Sequence, residues 1–286
     1  MKKLLFQFDT DAFASVFDTV VAYDGGADQV MTYAGVTPDN VGAMVEGAIF
    51  TRPPKQKKFT ALFVGGGNLE AGQNLLQAIR RRFFGDFRVS VMLDSNGGNT
   101  TAAAIVAKLA ASGTLAGKKA VVLGGTGPVG QRAAVMLIKE GAREVVITSR
   151  KMAHAEEACE AMRTRFGVEL TPVVAVTSDD RAQAIADAQI VVATGATGVT
   201  LLEEHHWQNL AGLEMLADAN TTPPLGILGM EMYDKGVLRH GKVCWGAIGF
   251  GAFKLAVHRA CIEKLFEAND QILDAEEVFA LAKLMA

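Results

Sequence analysis

Short apolar runs of strand length alternate with longer amphipathic stretches along almost the whole chain. That alternation predicts an α/β fold, with helices layered on mainly parallel sheets. Residues 4–8 read as a first strand and about 12–23 as a helix. Thr37-Pro38-Asp39 has the form of an N-cap followed by proline, opening a helix to about Phe50. Residues 59–64 and 88–93 read as strands, separated by Gly65-Gly66-Gly67-Asn68 and a helix to about Arg82. The basic stretch 52–58 reads as a solvated surface loop, with binding of an anionic ligand tail as the alternative. A polar glycine loop, 94–101, precedes an alanine-rich helix over 102–111.

The pattern sharpens from Ala120. Strand 120–123, glycine turn 124–130 and helix 131–140 lead to strand 145–148 and helix 153–166. Further strands are predicted at 168–174, 189–192 and 214–217, with Thr221-Thr222-Pro223-Pro224 as loop. A glycine-rich stretch, 246–251, enters a long helix to about Phe266, and 275–284 is a last helix. Two domains follow: residues 1–110 with 255–286, and residues 111–254, the small polar segment 112–119 serving as junction. The two C-terminal helices are expected to pack back onto the first domain.

Composition narrows the class. Half of the residues are apolar and 21% are charged, an ordinary globular balance. With 28 basic and 31 acidic side chains the net charge is −3, which gives no footprint for nucleic acid. No apolar stretch reaches the roughly 20 residues that span a bilayer, and the start of the chain meets Gln7 and Asp9 too soon for a signal peptide. Cys159, Cys244 and Cys261 are isolated and form no C-x-x-C pair, so buried reduced thiols of a cytoplasmic protein are expected. His205 and His206 are adjacent, a spacing that cannot chelate from one helix face; no metal site is expected.

Gly125-Thr126-Gly127-Pro128-Val129-Gly130 matches G-x-G-x-x-G, directly after an apolar strand and opening an amphipathic helix. In that context the motif marks a dinucleotide site. Gly125 permits the tight turn, Gly127 the approach of the pyrophosphate, and Gly130 the close packing of helix on strand. The helix N-terminus offers free N–H groups to the phosphates. An NAD site carries an acid about 20 residues on, at the end of the second strand. Here that place reads Thr148-Ser149-Arg150-Lys151. A hydroxyl, a guanidinium and an ammonium suit a 2′-phosphate, so NADP is favoured over NAD. Thr194-Gly195-Ala196-Thr197 and Asp218-Ala219-Asn220 each follow a strand and are expected near the nicotinamide end, which adds Thr194, Gly195, Ala196 and Asn220 to the cofactor set.

The chain also resembles a known family, the NADP-dependent methylenetetrahydromethanopterin dehydrogenases of methylotrophic bacteria, the MtdA type. The resemblance is carried by the segments 4–11, 23–28, 36–42, 63–67, 92–97, 99–104, 125–130, 223–227 and 255–266, and so covers essentially the whole chain. It implies an N-terminal pterin-binding domain and a Rossmann NADP domain. The implied reaction is hydride transfer from the methylene bridge of methylenetetrahydromethanopterin to NADP+, within formaldehyde oxidation, with tetrahydrofolate accepted by some members. It also implies a homo-oligomer, with a trimer as the expectation.

The resemblance puts the family's key active-site lysine at Lys254, where it would orient the pterin; a solvated surface lysine is the plainer alternative. His258 lies one turn on, on the same face, and lines the site or merely packs. Asp18, Asp94 and Asn96 are candidates for the pterin's N–H edge, which a carboxylate accepts well. Thr100 is a pterin contact or a helix cap. Other readings stay open: a folate dehydrogenase/cyclohydrolase, a shikimate-type oxidoreductase, or a non-catalytic NADPH-binding protein.

Overall fold

Parallel strands cannot be joined by tight turns, so each successive strand needs a crossover, usually a helix. The computed structural model, which describes all 286 residues from Met1 to Ala286, meets that requirement in two separate sheets. The chain divides into two compact units, Met1–Thr100 with Leu255–Met285, and Thr101–Lys254. The sequence reading set the first boundary at residues 110/111; both positions fall within one helix.

The first unit begins with β1 (Leu4–Asp9), α1 (Val16–Asp24), β2 (Gln29–Tyr33), α2 (Gly42–Phe50), β3 (Thr60–Gly65), α3 (Leu69–Arg81) and β4 (Ser90–Leu93). α4 (Gly98–Ser112) carries the chain into the second unit, which holds β5 (Lys119–Leu123), α5 (Pro128–Lys139), β6 (Glu144–Ser149), α6 (Met152–Phe166), β7 (Thr171–Val174), α7 (Ser178–Ile185), β8 (Ile190–Ala193), β9 (Met215–Asp218), β10 (Lys235–Arg239) and β11 (Lys242–Gly246). α8 (Ala247–Lys264) returns the chain to the first unit, which ends with β12 (Ile272–Leu273) and α9 (Ala275–Met285).

The first sheet runs in the order β2-β1-β3-β4-β12, all pairs parallel. The second runs β7-β6-β5-β8-β9-β11-β10, parallel except for the last pair. Both are doubly wound orders, and each has one place where the chain reverses its direction of travel across the sheet. That switch point opens a crevice outside the carboxyl ends of two neighbouring strands: β1 and β3 in one unit, β5 and β8 in the other. Each unit has its own core, Phe8, Val45, Leu62, Leu75 and Val91 in the first, Val121, Val191, Trp207 and Leu216 in the second.

Several predicted boundaries move for identifiable reasons. The helix expected from residue 12 starts at Val16, because Asp9 accepts the backbone N–H groups of Asp11 and Ser15 and holds the intervening residues as a loop. The helix expected from Thr37 starts at Gly42; Thr37 N donates to Asn40 Oδ1 and Asn40 Nδ2 to Gly35 O, closing a turn instead. The basic stretch 52–58 is not wholly solvated. It forms a 3-10 turn, Pro54–Phe59, in which Lys57 is fully buried, donates to Ile49 O and lies 4.2 Å from the Phe87 ring centroid. No helix is long and apolar enough to cross a membrane, and no three His, Cys, Asp or Glu side chains gather to hold a metal.

All three cysteines are buried thiols. Burial pushes Cys159 up to about 11 and Cys244 to about 12, and raises Cys261 as well. The thiolate is the reactive form, so at pH 8 the most acidic of them is ionised in only about one molecule in a thousand. Native protein should therefore release no fast chromophore from a thiol-specific disulfide reagent at pH 8, and three equivalents after denaturation. A rapid native equivalent would contradict this packing.

Candidate functional site

The second unit builds its crevice around the turn from β5 to α5. Gly124 has φ +62°, a conformation only glycine adopts freely, and a Cβ there would lie 2.7 Å from Gly195 Cα. Its N–H donates to Thr148 Oγ1, and Gly125 N–H to Thr148 O, so the turn is fastened to β6. The φ-demanding residue is thus Gly124, not Gly125 as the motif suggested. Gly125 instead packs on Val122 and Ile147. At Gly130 a Cβ would fall 2.5 Å from Gly125 Cα and 2.6 Å from Thr194 Oγ1, which makes glycine obligatory for the helix to seat on the strand. At Gly127 a Cβ would meet nothing within 4 Å. The open space above Gly127, at the N-cap of α5 with Pro128 next, is where free N–H groups meet an anion.

This space is part of a cavity of about 710 Å3 lined by Gly124, Thr126, Gly127, Ser149, Arg150, Lys151, Thr194, Gly195 and Ala196, among others. Eight predicted cofactor residues are in that lining: Thr126, Gly127, Ser149, Arg150, Lys151, Thr194, Gly195 and Ala196. Gly125, Pro128, Val129 and Gly130 form the turn and helix start behind it. Asn220 is not in the lining. Its side chain donates to Pro224 O and accepts from Thr222 N, bracing the loop after β9. The buried Asp218 braces the same loop by accepting from Asn220 N and Ile227 N, and burial raises its carboxyl above the ordinary value. Sequence reasoning missed His154, Ala175, Arg181, Val199 and Leu201. Thr177-x-x-Asp180, the capping box that opens α7, was the available signal for the segment carrying Arg181.

The first unit places its polar groups at the β1/β3 switch point. Asp9 pairs in register with Gly65, and Thr10 N and Oγ1 both lie 3.4 Å from Gly65 O. Gly66 has φ +108°, and a Cβ there would strike Thr10 Oγ1 at 1.9 Å. Asp18 is buried in the first turn of α1, its N–H capped by Ser15 Oγ, with one carboxylate oxygen 3.6 Å from where a Cβ on Gly65 would stand. Asn96 is exposed, holds φ +53° and donates its backbone N–H to Gly66 O, which ties it to the turn after β3.

Asp94, expected as a pterin-edge carboxylate, is engaged by the backbone at the start of α4. It is fully buried, and its oxygens accept from Asn99 N at 2.9 Å, Thr100 N at 3.0 Å and Thr100 Oγ1 at 2.6 Å. It fastens the start of α4, and Thr100 belongs to that fastening. His258 is also fully buried. Its ring stacks on Phe63, with centroids 5.5 Å apart, and its Nδ1 lies 4.0 Å from Asp94 Oδ2. Lys254 is half-buried on α8, one turn before His258.

A doubly wound sheet with a glycine turn at its switch point, facing a cation-lined cavity, is the architecture of a Rossmann-type dinucleotide-binding unit. Comparison with known proteins makes this specific. The family model for the N-terminal part of methylene-tetrahydromethanopterin dehydrogenase matches residues 16–96, and that for shikimate / quinate 5-dehydrogenase matches residues 106–218. A Methylorubrum extorquens protein named bifunctional protein MdtA is 55% identical over 100% of this chain and 99% of its own. An NAD(P)-dependent methylenetetrahydromethanopterin dehydrogenase from the same organism is 31% identical over 94% and 93%. Among solved structures, quinate dehydrogenase from Corynebacterium glutamicum shares the fold at TM-score 0.57 with 11% identity, covering 98% of both chains. The chain belongs to the methylenetetrahydromethanopterin dehydrogenase family.

Two outcomes test this geometry. Arg150→Ala should raise KM for NADP+ roughly ten- to a hundredfold, the worth of one charge-assisted contact, with little change for NAD+. Equal effects on both would remove Arg150 from the 2′-phosphate. Asp94→Ala should cost about 1–3 kcal/mol in urea unfolding, because it strands buried N–H donors. Full stability combined with a raised pterin KM would return the carboxylate to the substrate.

Proposed function

We propose that this chain oxidises the methylene bridge of methylenetetrahydromethanopterin to the methenyl cation with NADP+, within formaldehyde oxidation and one-carbon metabolism. The observation that carries the cofactor assignment is the cavity of the second unit. It is lined by Arg150, Lys151, Arg181, His154 and Ser149 and by no Asp or Glu. Bound there, NADP+ supplies the hydride acceptor. Thr126 and Gly127 offer backbone N–H groups to the phosphates at the start of α5, and Ser149, Arg150 and Lys151 take the 2′-phosphate. Thr194, Gly195 and Ala196 form the wall at the carboxyl end of β8.

The chemistry asks little of acids and bases. The methylene carbon lies between two nitrogens whose lone pairs stabilise the cation left by hydride loss, and no proton leaves in that step. The protein's contribution is alignment and exclusion of water. In this reading Lys254 is the catalytic residue, its ammonium orienting the pterin. Asp18 accepts from the N–H edge and Asn96 closes the rim. Asp94 and Thr100 hold the loop that carries Asn96, and His258 backs it with a flat buried wall. The first unit is accordingly the pterin domain and the second the NADP domain, in a cytoplasmic homo-oligomer. Phe13, Val16 and Val20, all exposed along one side of α1 and the loop before it, support assembly with further copies.

The test is a spectrophotometric assay with formaldehyde and tetrahydromethanopterin, or tetrahydrofolate, each with NADP+ or NAD+. Reduction of NADP+ in the methanopterin lane is the expected result, and the folate lane measures breadth. Silence in every lane, with NADPH still bound, overturns the proposal. Lys254→Ala should lower kcat roughly a hundredfold or more, the scale for losing one oriented charge, while NADP+ affinity stays nearly intact. Unchanged turnover would remove Lys254 from the site.

A further inference from the structure

Arg181 stands apart from the other cations of the cofactor cavity. It comes from α7, not from the end of β6, and it is only 8% exposed although it lines the cavity with Ser149, Arg150, Lys151 and His154. Its Nη2 donates to Val176 O at 2.9 Å and its Nη1 to Leu201 O at 3.4 Å. Those two carbonyls hold the guanidinium plane in one orientation. The adjacent acid, Asp180, is already committed, since its Oδ2 accepts from Val176 N and Thr177 N.

We infer that Arg181 is the fixed half of a paired-guanidinium subsite for the cofactor's 2′-phosphate, and that with Arg150 it sets the preference for NADP over NAD. The inference rests on the cofactor reading above. Arg150 is exposed and must be ordered when the cofactor binds, which costs rotamer freedom. Arg181 is ordered beforehand by its carbonyl clamps, so its contact with an anion carries little of that cost. Two guanidiniums sharing one cavity repel each other. At Arg181 burial is the main influence and lowers its basicity; Asp180 pulls it back up, and Arg150 lowers it by a smaller amount. A phosphate dianion between them removes the repulsion, and a ribose hydroxyl does not. The pair therefore favours NADP by attraction, and NAD, which brings no phosphate there, leaves the mutual repulsion in place.

Calorimetric titration of the full chain with 2′,5′-ADP and with 5′-AMP separates the subsite from the rest of the cofactor. Wild type should bind 2′,5′-ADP the more tightly. Arg181→Gln should weaken 2′,5′-ADP about tenfold or more and 5′-AMP by less than about twofold, as expected for loss of one charge-assisted fork. Arg181→Lys, which keeps the charge and loses the fork, should fall between. Thermal melting establishes that each variant is folded, and if Arg181→Gln is not, Arg181→Lys decides: a selective loss for 2′,5′-ADP supports the inference. Equal losses for both probes would mean that Arg181 only braces the loops, and no loss for either would place the phosphate elsewhere; each overturns the inference alone. A wild type without preference between the probes would overturn the NADP reading itself.

Discussion

A missing methyl group at Gly130 governs the second unit. Helix α5 can seat on the end of β5 only because nothing projects from that position; a Cβ would overlap Gly125 and Thr194 together. Seating the helix there points its first N–H groups out of the carboxyl edge of the sheet, at the place where β5 and β8 diverge. The cavity, the open space over Gly127 and the approach of β6 with its cationic end all follow from that one contact. Thr148 reinforces it by tying both Gly124 and Gly125 to the neighbouring strand.

The first unit reaches an equivalent edge by a different device. No glycine helix turn follows β1; buried carboxylates do the fastening. Asp9 gathers the N–H groups of Asp11 and Ser15, and Asp94 gathers those of Asn99 and Thr100. Charge-assisted bonds to backbone N–H groups are stronger than neutral ones, so these loops are stiff where they border the crevice. Gly66 then lets the chain turn tightly beside Thr10 and leaves the edge open.

What the sequence disclosed and what it hid follow a physical division. Central strands such as β5, β6 and β8 are continuous apolar runs, and α5 begins with an unambiguous glycine and proline signal; all were legible. The short β12, the edge strand β2 and the antiparallel pair β10 and β11 were not, because strands at a margin carry mixed side chains and their identity depends on a neighbour distant in sequence. Lys57 was misjudged for a related reason: nothing in a run of basic residues announces that one ammonium is turned inward onto a carbonyl and an aromatic ring. Arg181 is 31 positions beyond Arg150, and only the return of the chain through β7 and α7 brings both to one cavity.

Asp94 shows how one carboxylate in one position can answer two different demands. A carboxylate after a parallel strand suits a pterin edge in chemistry and in position, but the same position also suits a helix start with free N–H donors. The second demand is local and always present, and here it is met at 2.6–3.0 Å by three donors. A hydride transfer that releases no proton gains nothing from a free acid at that point. It gains from a loop that does not move, since small displacements of the reacting carbon are costly when alignment is the main source of rate. Spending the carboxylate on the backbone is therefore consistent with the chemistry.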